Sequence, residues 1–236
     1  MIITLSAKLK KAEFITDNRP SLVSFLKNAF SEYENGLFEK YYAEHKNILK
    51  SFCFSMKLSN PVFKGEIIEL SDEKIEITIN TYDPAEGIDI YNALVKQRGK
   101  PFPLPNQNSL TVSDVSIRNH KQITSNTIMI KMRSPLLVRK HDGKKDRYLT
   151  PESDEFNRFF QLSVKDFLTK ESIDLPEDIE IIPVKPKKTV PVAFGYKISG
   201  NLGTYILRGD VKLLNLLYQS GIGARRSQGF GAFEVI

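Results

Sequence analysis

The end of the chain carries a glycine-rich segment with phosphate-binding side chains. Residues 221–233 read GIGARRSQGFGAF, in which four glycines flank Arg225, Arg226, Ser227 and Gln228. Guanidinium groups bind phosphate oxygens, serine and glutamine donate to phosphate or sugar oxygens, and successive backbone N–H groups form anion-binding concavities. The alternative is a flexible connection with exposed arginines. Four glycines would destabilise such a connection, however, and no function would compensate for that loss of stability. The segment therefore predicts a binding loop for a phosphate-rich partner.

Positive charge is concentrated in two parts of the chain. The protein has a net charge of +6, and residues 186–236 hold seven Lys or Arg against two acidic residues. A second basic segment, Lys131 to Arg147, holds seven against two. Such clusters suit a polyanion because each neutralised phosphate releases counterions. Charge alone fits an ordinary solvated surface equally well.

Composition narrows the class of protein. The chain has 236 residues, 41% hydrophobic and 26% charged, and its apolar runs are shorter than the roughly 18 residues that span a membrane. Met1 leads directly into a strand-like alternation and not into a signal peptide. Cys53 is the only cysteine, which excludes a disulfide framework. We expect a globular protein in the reducing cytoplasm, with no membrane partner.

Hydrophobic periodicity predicts the same element order twice. Strand and helix patterns follow one another as β-α-β-β-α-β in residues 1–122 and again in residues 123–236. In the second half we expect a helix with Thr150 as N-cap, a hairpin turning at Gly200-Asn201, and a helix capped by Asp210 that ends at Gly221. This order predicts an α+β protein of two tandem ferredoxin-like domains, with the histidine-bearing segment in the first and the glycine-rich loop in the second.

The glycine-rich loop also resembles that of a known family. GIGARRSQGFG matches the pattern Gly-apolar-Gly, five residues, Gly-apolar-Gly of the CRISPR-associated endoribonucleases that process repeat RNA. These enzymes belong to the repeat-associated mysterious protein superfamily. SPLLVRKHDGKKDRYLTPESDEF is similar to the segment that opens the family's second domain, and GDVKLLNLLYQSGIGARRSQGFG to its last helix and loop. The resemblance covers nearly the full chain.

The resemblance implies two ferredoxin-like folds, no cofactor and a metal-independent cleavage of precursor CRISPR RNA. The products would carry a 5′-hydroxyl and a 2′,3′-cyclic phosphate. His45 matches the family's catalytic histidine and Lys50 its nearby lysine. The family's tyrosine aligns near Lys27, where none stands, and among the tyrosines nearby Tyr42 is the preferred substitute over Tyr33 and Tyr41. The implied RNA-binding residues are Gly223, Arg225, Arg226, Ser227, Gln228, Gly229, Arg133, Arg139, Lys140 and Arg147.

These residues suit cleavage that uses the RNA's own 2′-hydroxyl. A histidine, with an unperturbed pKa of about 6.5, can remove that proton near neutral pH. A positioned acid or base contributes roughly 10²- to 10⁴-fold, so no metal is obligatory. A charged Lys50 would stabilise the negative charge on the phosphorane oxygens. The plain alternative for His45 is a polar residue at a helix end, favoured by the helix dipole.

Other assignments have less support. His120 falls at the domain boundary and His141 in a charged turn, and no His, Cys and acidic cluster has zinc spacing. The segment GYKISGN, residues 195–201, has phosphate-loop spacing but lacks the following Lys-Ser or Lys-Thr. The expected partner is CRISPR repeat RNA. Other subunits of an effector complex and a second copy of the chain remain open as partners, as does the rival function of a non-catalytic RNA-binding subunit.

Overall fold

The computed structural model describes residues 1–34, 36–43, 48–143 and 145–236. The first half contains β1 (Ile2–Leu9), β2 (Glu13–Ile15), α1 (Arg19–Ser31), β3 (Phe52–Leu58), β4 (Val62–Lys64), β5 (Ile67–Glu69), β6 (Lys74–Thr81), α2 (Pro84–Val95), β7 (Pro101–Leu104) and β8 (Asn108–Arg118). The second half contains β9 (Thr127–Met132), β10 (Val138–Asp142), β11 (Lys145–Leu149), α3 (Phe156–Lys170), β12 (Ile179–Thr189), β13 (Val192–Ala193), β14 (Tyr196–Lys197), β15 (Gly200–Gly209), α4 (Val211–Ser220) and β16 (Phe233–Val235). A short π-helical turn covers Glu39–Ala43, and a 3-10 turn covers Arg226–Gln228.

Two sheets with the same strand order organise the chain. The first is β3-β6-β1-β8-β7 and the second is β12-β15-β9-β16. Counting the principal strands of each half from one to four, both sheets have the order 2-3-1-4. In the first sheet β1 is antiparallel to β6 and β8, and in the second all neighbouring strands are antiparallel. This order is the ferredoxin-like topology predicted from the sequence, and it is present twice.

The chain forms two compact units. The first comprises Met1–Ser51, Met56–Asn119 and Val192–Tyr196, and the second comprises Phe52–Ser55, His120–Pro191 and Lys197–Ile236. The segment Phe52–Ser55 thus packs with the second unit although it lies in the first half of the sequence. None of the helices in the described ranges is long and apolar enough to cross a membrane.

Each unit has an apolar core between its sheet and its helices. In the first unit the buried face of β1 includes Ile3 and Leu5, and α1 buries Phe25 and Phe30. In the second unit α3 buries Phe160, and α4 buries three leucines on one face: Leu213, Leu214 and Leu217. Apolar residues at period 2 in the strands and at helical spacing in the helices produce these faces, as the sequence indicated.

Two helix boundaries agree with the capping residues in the sequence. Asp83 accepts hydrogen bonds from the N–H groups of Ala85 and Glu86 at the start of α2. Asp210 accepts hydrogen bonds from Lys212 and Leu213 at the start of α4, which ends at Gly221 with φ 74°. Side-chain caps of this kind satisfy N–H groups that have no partner inside the helix.

Two predictions for the second half were wrong. The helix α3 does not begin after Thr150 but at Phe156, because Ser153 donates its N–H to Thr150 O and Phe156 donates to Ser153 O in tight turns. The Gly200-Asn201 pair lies inside β15, and β15 pairs with the edge strand β12 over ten residue pairs. Its prolines made β12 hard to recognise as a strand in the sequence. An edge strand tolerates proline because one side of its backbone needs no hydrogen-bond partner.

Candidate functional site

Two lysines of the first half, Lys27 and Lys50, lie against the ring of Tyr42. The Lys50 Nζ lies 4.4 Å from the centroid of the Tyr42 ring, and the Lys27 Nζ lies 4.8 Å from the same centroid. Tyr42 itself stacks on the buried Phe30 at a centroid distance of 6.5 Å and an interplanar angle of 26°. A cation within about 6 Å of an aromatic face is attracted by the ring quadrupole. The ring therefore holds two ammonium groups near each other.

The surroundings change the proton affinity of these groups. Burial, followed by the positive charge of Lys27, lowers the pKa of Lys50 below its ordinary value. Burial raises the pKa of the Tyr42 hydroxyl, so this group remains protonated at neutral pH. Lys50 is thus a better proton donor than an ordinary lysine, while Tyr42 is a poor base.

Tyr41, the neighbouring tyrosine, is held inside the protein by hydrogen bonds. Its hydroxyl is 3.1 Å from Ser51 Oγ and donates to Glu86 Oε2, and its side chain is buried. Ser51 also bonds Glu86 Oε2 and lies 3.0 Å from Thr81 Oγ1. Hydrogen bonding and burial of this kind hold a side chain in place and remove it from contact with a substrate.

Glu86 of α2 anchors the chain on both sides of the predicted histidine. Its carboxylate accepts from Lys40 and Tyr41, which precede residue 45, and from Ser51, which follows it. His45 itself lies outside the described residues. Lys40, Tyr41 and Ser51 are therefore all bonded to one carboxylate. In the sequence, Tyr42 lies three residues before His45 and Lys50 lies five residues after it.

The other two histidines have partners in the second unit. His120 is half-buried, with its Nε2 3.3 Å from Gln219 Nε2 and its ring 6.0 Å from that of Tyr218, and burial lowers its pKa. His141 is exposed and has its Nδ1 2.9 Å from Asp146 Oδ1. Within the described ranges, no three His, Cys, Asp or Glu side chains come together where they could hold a metal ion.

The glycine-rich loop is packed against its own unit. At Gly223, with φ 77°, an added Cβ would lie 2.6 Å from Leu137 O. At Gly231, with φ 73°, it would lie 1.9 Å from Ile222 O, which no side chain can tolerate. At Gly229 it would meet the Phe54 ring at 2.7 Å. The chain itself thus occupies the space beside Gly229 and Gly231.

The two arginines of the loop lie in different environments. The Arg225 guanidinium carbon lies 5.7 Å from the centroid of the Tyr148 ring, and the residue is half-buried with φ 58°. Arg226 is only 8% exposed, lies 4.0 Å from the Phe167 ring centroid and donates to Ser220 O at 3.3 Å. This burial contradicts the expectation that both arginines face a phosphate. Arg226 supports the loop from inside.

The remaining polar residues of the loop, Ser227 and Gln228, are half-buried. Ser227 and Gln228 form the 3-10 turn with Arg226, and the Gln228 N–H donates to Arg225 O at 2.9 Å. Gly229 ends the turn with φ 84°. The side chains of Arg225, Ser227 and Gln228 are therefore the ones that the loop can offer to a ligand.

The predicted basic residues outside the loop are mostly paired with acids. Arg133 lies 3.0 Å from Glu234, Arg139 lies 3.5 Å from Asp146, and Lys140 lies 2.7 Å from Glu155. Arg147 is exposed on β11, directly opposite Lys140 of β10. The exposed pairs contribute little to stability and can exchange partners when a phosphate approaches.

The structure adds two residues to the candidate site that sequence reasoning did not assign. Lys27 had been noted only as the position where the family's tyrosine is missing, yet its ammonium lies on the Tyr42 ring beside Lys50. Tyr148 received no role because nothing in its sequence context marks it, and it lies beneath Arg225. Both contacts join residues distant in the chain, so no local pattern could have indicated them.

Comparisons with known proteins agree with this fold. Solved structures with similar folds include a Cas6-related protein of Pyrococcus furiosus, with 20% identity, a TM-score of 0.84 and coverage of 100% of this chain and 98% of that one. A RAMP protein binding different RNA substrates has 19% identity, a TM-score of 0.84 and coverage of 100% and 99%. A Cas6 product complex has 16% identity, a TM-score of 0.73 and coverage of 100% and 99%. No curated protein matches this chain in sequence.

Two ferredoxin-like units, the second of which carries the glycine-rich loop, form the fold that this chain shares with these solved structures. Residues 118–235 match the family model described as CRISPR associated protein Cas6, C-terminal. The chain belongs to the Cas6 family, whose members are CRISPR RNA-processing endoribonucleases.

Proposed function

We propose that this protein is an endoribonuclease that cleaves CRISPR repeat RNA without a metal ion. The observation that carries the proposal is the cluster of Lys27, Tyr42 and Lys50 in a chain of the Cas6 family. Tyr42 and Lys50 lie within five residues of the predicted histidine in the sequence. The scissile phosphate gains negative charge in the transition state. The two positive charges held on the Tyr42 ring would stabilise that charge. We expect the reaction to take place in the cytoplasm.

The proposed first step is removal of a proton from a ribose 2′-hydroxyl by His45. The oxygen attacks the adjacent phosphorus, and the bond from phosphorus to the 5′-oxygen breaks. The products are a 2′,3′-cyclic phosphate and a 5′-hydroxyl, the latter formed when the leaving oxygen takes a proton. Because the nucleophile belongs to the RNA, the protein needs only a positioned base, a proton donor and positive charge.

Lys50 and Lys27 would supply the charge and the second proton. The lowered pKa of Lys50 makes its ammonium group a suitable donor to the departing 5′-oxygen. Lys27 is exposed and would contact a phosphoryl oxygen. Tyr42, whose hydroxyl stays protonated, would act through its ring by holding the two ammonium groups.

The RNA backbone outside the cleavage centre would be held by the second unit. Arg225, Ser227 and Gln228 of the loop are the proposed contacts, with Gly223 and Gly229 shaping the backbone around them. Arg133, Arg139 and Lys140 would bind phosphates by exchanging their present carboxylate partners, and the exposed Arg147 would bind a phosphate directly. Arg226 is left out of this set because of its burial.

The test is cleavage of the CRISPR repeat RNA from the same genome in the presence of EDTA. We expect a 2′,3′-cyclic phosphate and a 5′-hydroxyl, and a loss of roughly 10²- to 10⁴-fold in single-turnover rate for His45→Ala with RNA affinity retained. His120→Ala, which alters a histidine outside the proposed centre, serves as the matched control. Full activity of His45→Ala would place the base elsewhere.

A second candidate is a non-catalytic RNA-binding subunit. The fold is shared with a RAMP protein binding different RNA substrates and with a Cas6-related protein, each with a TM-score of 0.84, so both candidates fit it. The same cleavage assay distinguishes the two candidate functions. A wild-type protein that binds the repeat tightly and leaves it intact in every buffer would be the binding subunit.

A further inference from the structure

The second unit contains an unusual concentration of unsatisfied polar atoms near the glycine-rich loop. Among the described residues, three buried side-chain oxygens have no hydrogen-bond partner: Tyr148 Oη, Asn201 Oδ1 and Gln228 Oε1. A buried polar atom without a partner has lost its hydrogen bonds to water and gained none in exchange, so each one in a folded protein needs an explanation. All three belong to the second unit.

Hydrogen bonds connect the elements that carry these atoms. Asn201 is fully buried, and its Nδ2 donates to Leu149 O at 2.9 Å, next to Tyr148. The same Nδ2 donates to Leu136 O at 3.3 Å. The adjacent Leu137 O accepts the Ala224 N–H of the loop at 2.9 Å. Asn201 therefore holds together the strand end that carries Tyr148 and the segment on which the loop rests.

Arg225 covers the face of Tyr148. Its guanidinium carbon is 5.7 Å from the ring centroid, and the Gln228 N–H is bonded to Arg225 O at 2.9 Å. Arg225 also has a left-handed backbone, with φ 58° and ψ 33°. That conformation is unfavourable for a non-glycine residue and is concentrated at functional sites. The arginine is thus held over the ring by a strained turn.

We propose that Tyr148 and Gln228 form a pocket for one RNA nucleotide, and that Arg225 covers it in the free protein. This proposal rests on the RNA-binding part of the proposed function. When RNA binds, Arg225 moves to a phosphate and the base stacks on the vacated face of Tyr148. The Gln228 side-chain oxygen then bonds the edge of this base, and the Tyr148 hydroxyl, which lies in the plane of its own ring, bonds the edge of the next base.

The chemistry of the three groups supports a nucleotide over a free anion. A phosphate alone would be bound by Arg225, but it would gain nothing from an aromatic face or from the carbonyl oxygen of Gln228. Proteins that read single-stranded RNA stack its bases on aromatic rings and bond the exposed base edges. Tyrosine hydroxyl and glutamine amide groups can both donate and accept, which suits a base edge.

The proposal predicts an opposite effect of one substitution on stability and on binding. Tyr148→Phe removes a hydroxyl that has no partner in the free protein, so the Tm should stay the same or rise. The same change should weaken binding of the CRISPR repeat RNA by about 3- to 10-fold, the effect of one net hydrogen bond. Tyr148→Leu, which also removes the stacking surface, should weaken binding by about 10-fold or more.

Tyr205→Phe is the matched control. Its hydroxyl is also in the second unit but donates to Leu202 O at 3.1 Å, so its removal should lower the Tm and leave RNA affinity unchanged. Binding is measured by fluorescence anisotropy with the repeat RNA and with repeat variants that change one base at a time. For wild type, one position should show a base preference that Tyr148→Phe reduces.

Each result bears on the proposal. Equal affinity of wild type and Tyr148→Phe for the repeat would overturn it and leave the hydroxyl as a site for ordered water. A uniform loss over all repeat variants, without a change in base preference, would also overturn it. Failure of the proposed cleavage is seen separately, in the wild-type assay with intact binding. A wild type that binds no RNA would overturn both proposals.

Discussion

The Lys50 ammonium group lies 4.4 Å from the centroid of the Tyr42 ring, and the Lys27 ammonium group lies 4.8 Å from it. The two positive charges repel each other, and this repulsion contributes to the lowered pKa of Lys50. The aromatic ring offsets part of that cost through the cation–π attraction. Tyr42 is therefore expected to act by its ring and not by its hydroxyl.

Substitution of Tyr42 separates these two contributions. Tyr42→Phe keeps the ring and should retain the single-turnover cleavage rate to within about 3-fold, because phenylalanine also binds cations. Tyr42→Leu removes the ring and should lower the rate by about 10-fold or more as the two lysines lose their position. The measurement is single-turnover cleavage at saturating protein, with thermal denaturation to confirm folding. A large loss for Tyr42→Phe would restore a role for the hydroxyl.

Removal of the Lys27 charge should shift the pH dependence of cleavage. Lys27→Gln removes a like charge, so the pKa of Lys50 should rise toward its ordinary value. If the protonated Lys50 is required, the alkaline limb of the rate profile moves to higher pH, and the maximal rate falls. Lys27→Arg retains the charge and should leave that limb in place. An alkaline limb that is identical in all three proteins would remove Lys27 from the site.

The two loop arginines should respond differently to truncation. Arg225→Ala should weaken RNA binding and reduce the slope of log affinity against log salt by about 0.7, the value for one contact to single-stranded nucleic acid. Arg226→Ala should leave that slope unchanged and destabilise the fold by about 1–3 kcal/mol, because it removes a buried contact with Phe167 and a bond to Ser220 O. Salt titrations and denaturant unfolding measure the two effects. A reduced salt slope for Arg226→Ala would show that Arg226 contacts the RNA.

Gly231 should tolerate no side chain. An added Cβ would lie 1.9 Å from Ile222 O, and φ is 73°. Gly231→Ala should therefore cost several-fold more stability than Gly99→Ala, which has φ 74° but no atom within 4 Å of the added Cβ. The second change costs only the backbone strain, about 1–2 kcal/mol. Equal losses of unfolding free energy in the two variants would show that the loop adjusts to relieve the crowding.

Local sequence patterns predicted the elements that form by local interactions. The cap of α4 was predicted because Asp210 lies within three residues of the N–H groups that donate to it. The ferredoxin-like order of both units followed from hydrophobic periodicity, which records which face of each element is buried. The start of α3 was misplaced because Thr150 and Pro151 have the composition of a helix start but form turns. The edge strand β12 was missed because its prolines argue against a strand in the sequence. They are tolerated because β12 lies at the edge of the sheet, where one side of its backbone has no neighbouring strand.

The amino-acid sequence by itself determined the order of elements, the glycine pattern of the loop and the resemblance to the Cas6 family. Only the tertiary structure decided that Lys27 joins Lys50 on Tyr42, that Arg226 is buried, and that Arg225 covers Tyr148. The physical reason is distance along the chain. Periodicity and caps express contacts between near neighbours, whereas these side chains meet through packing of separate elements that share no sequence pattern.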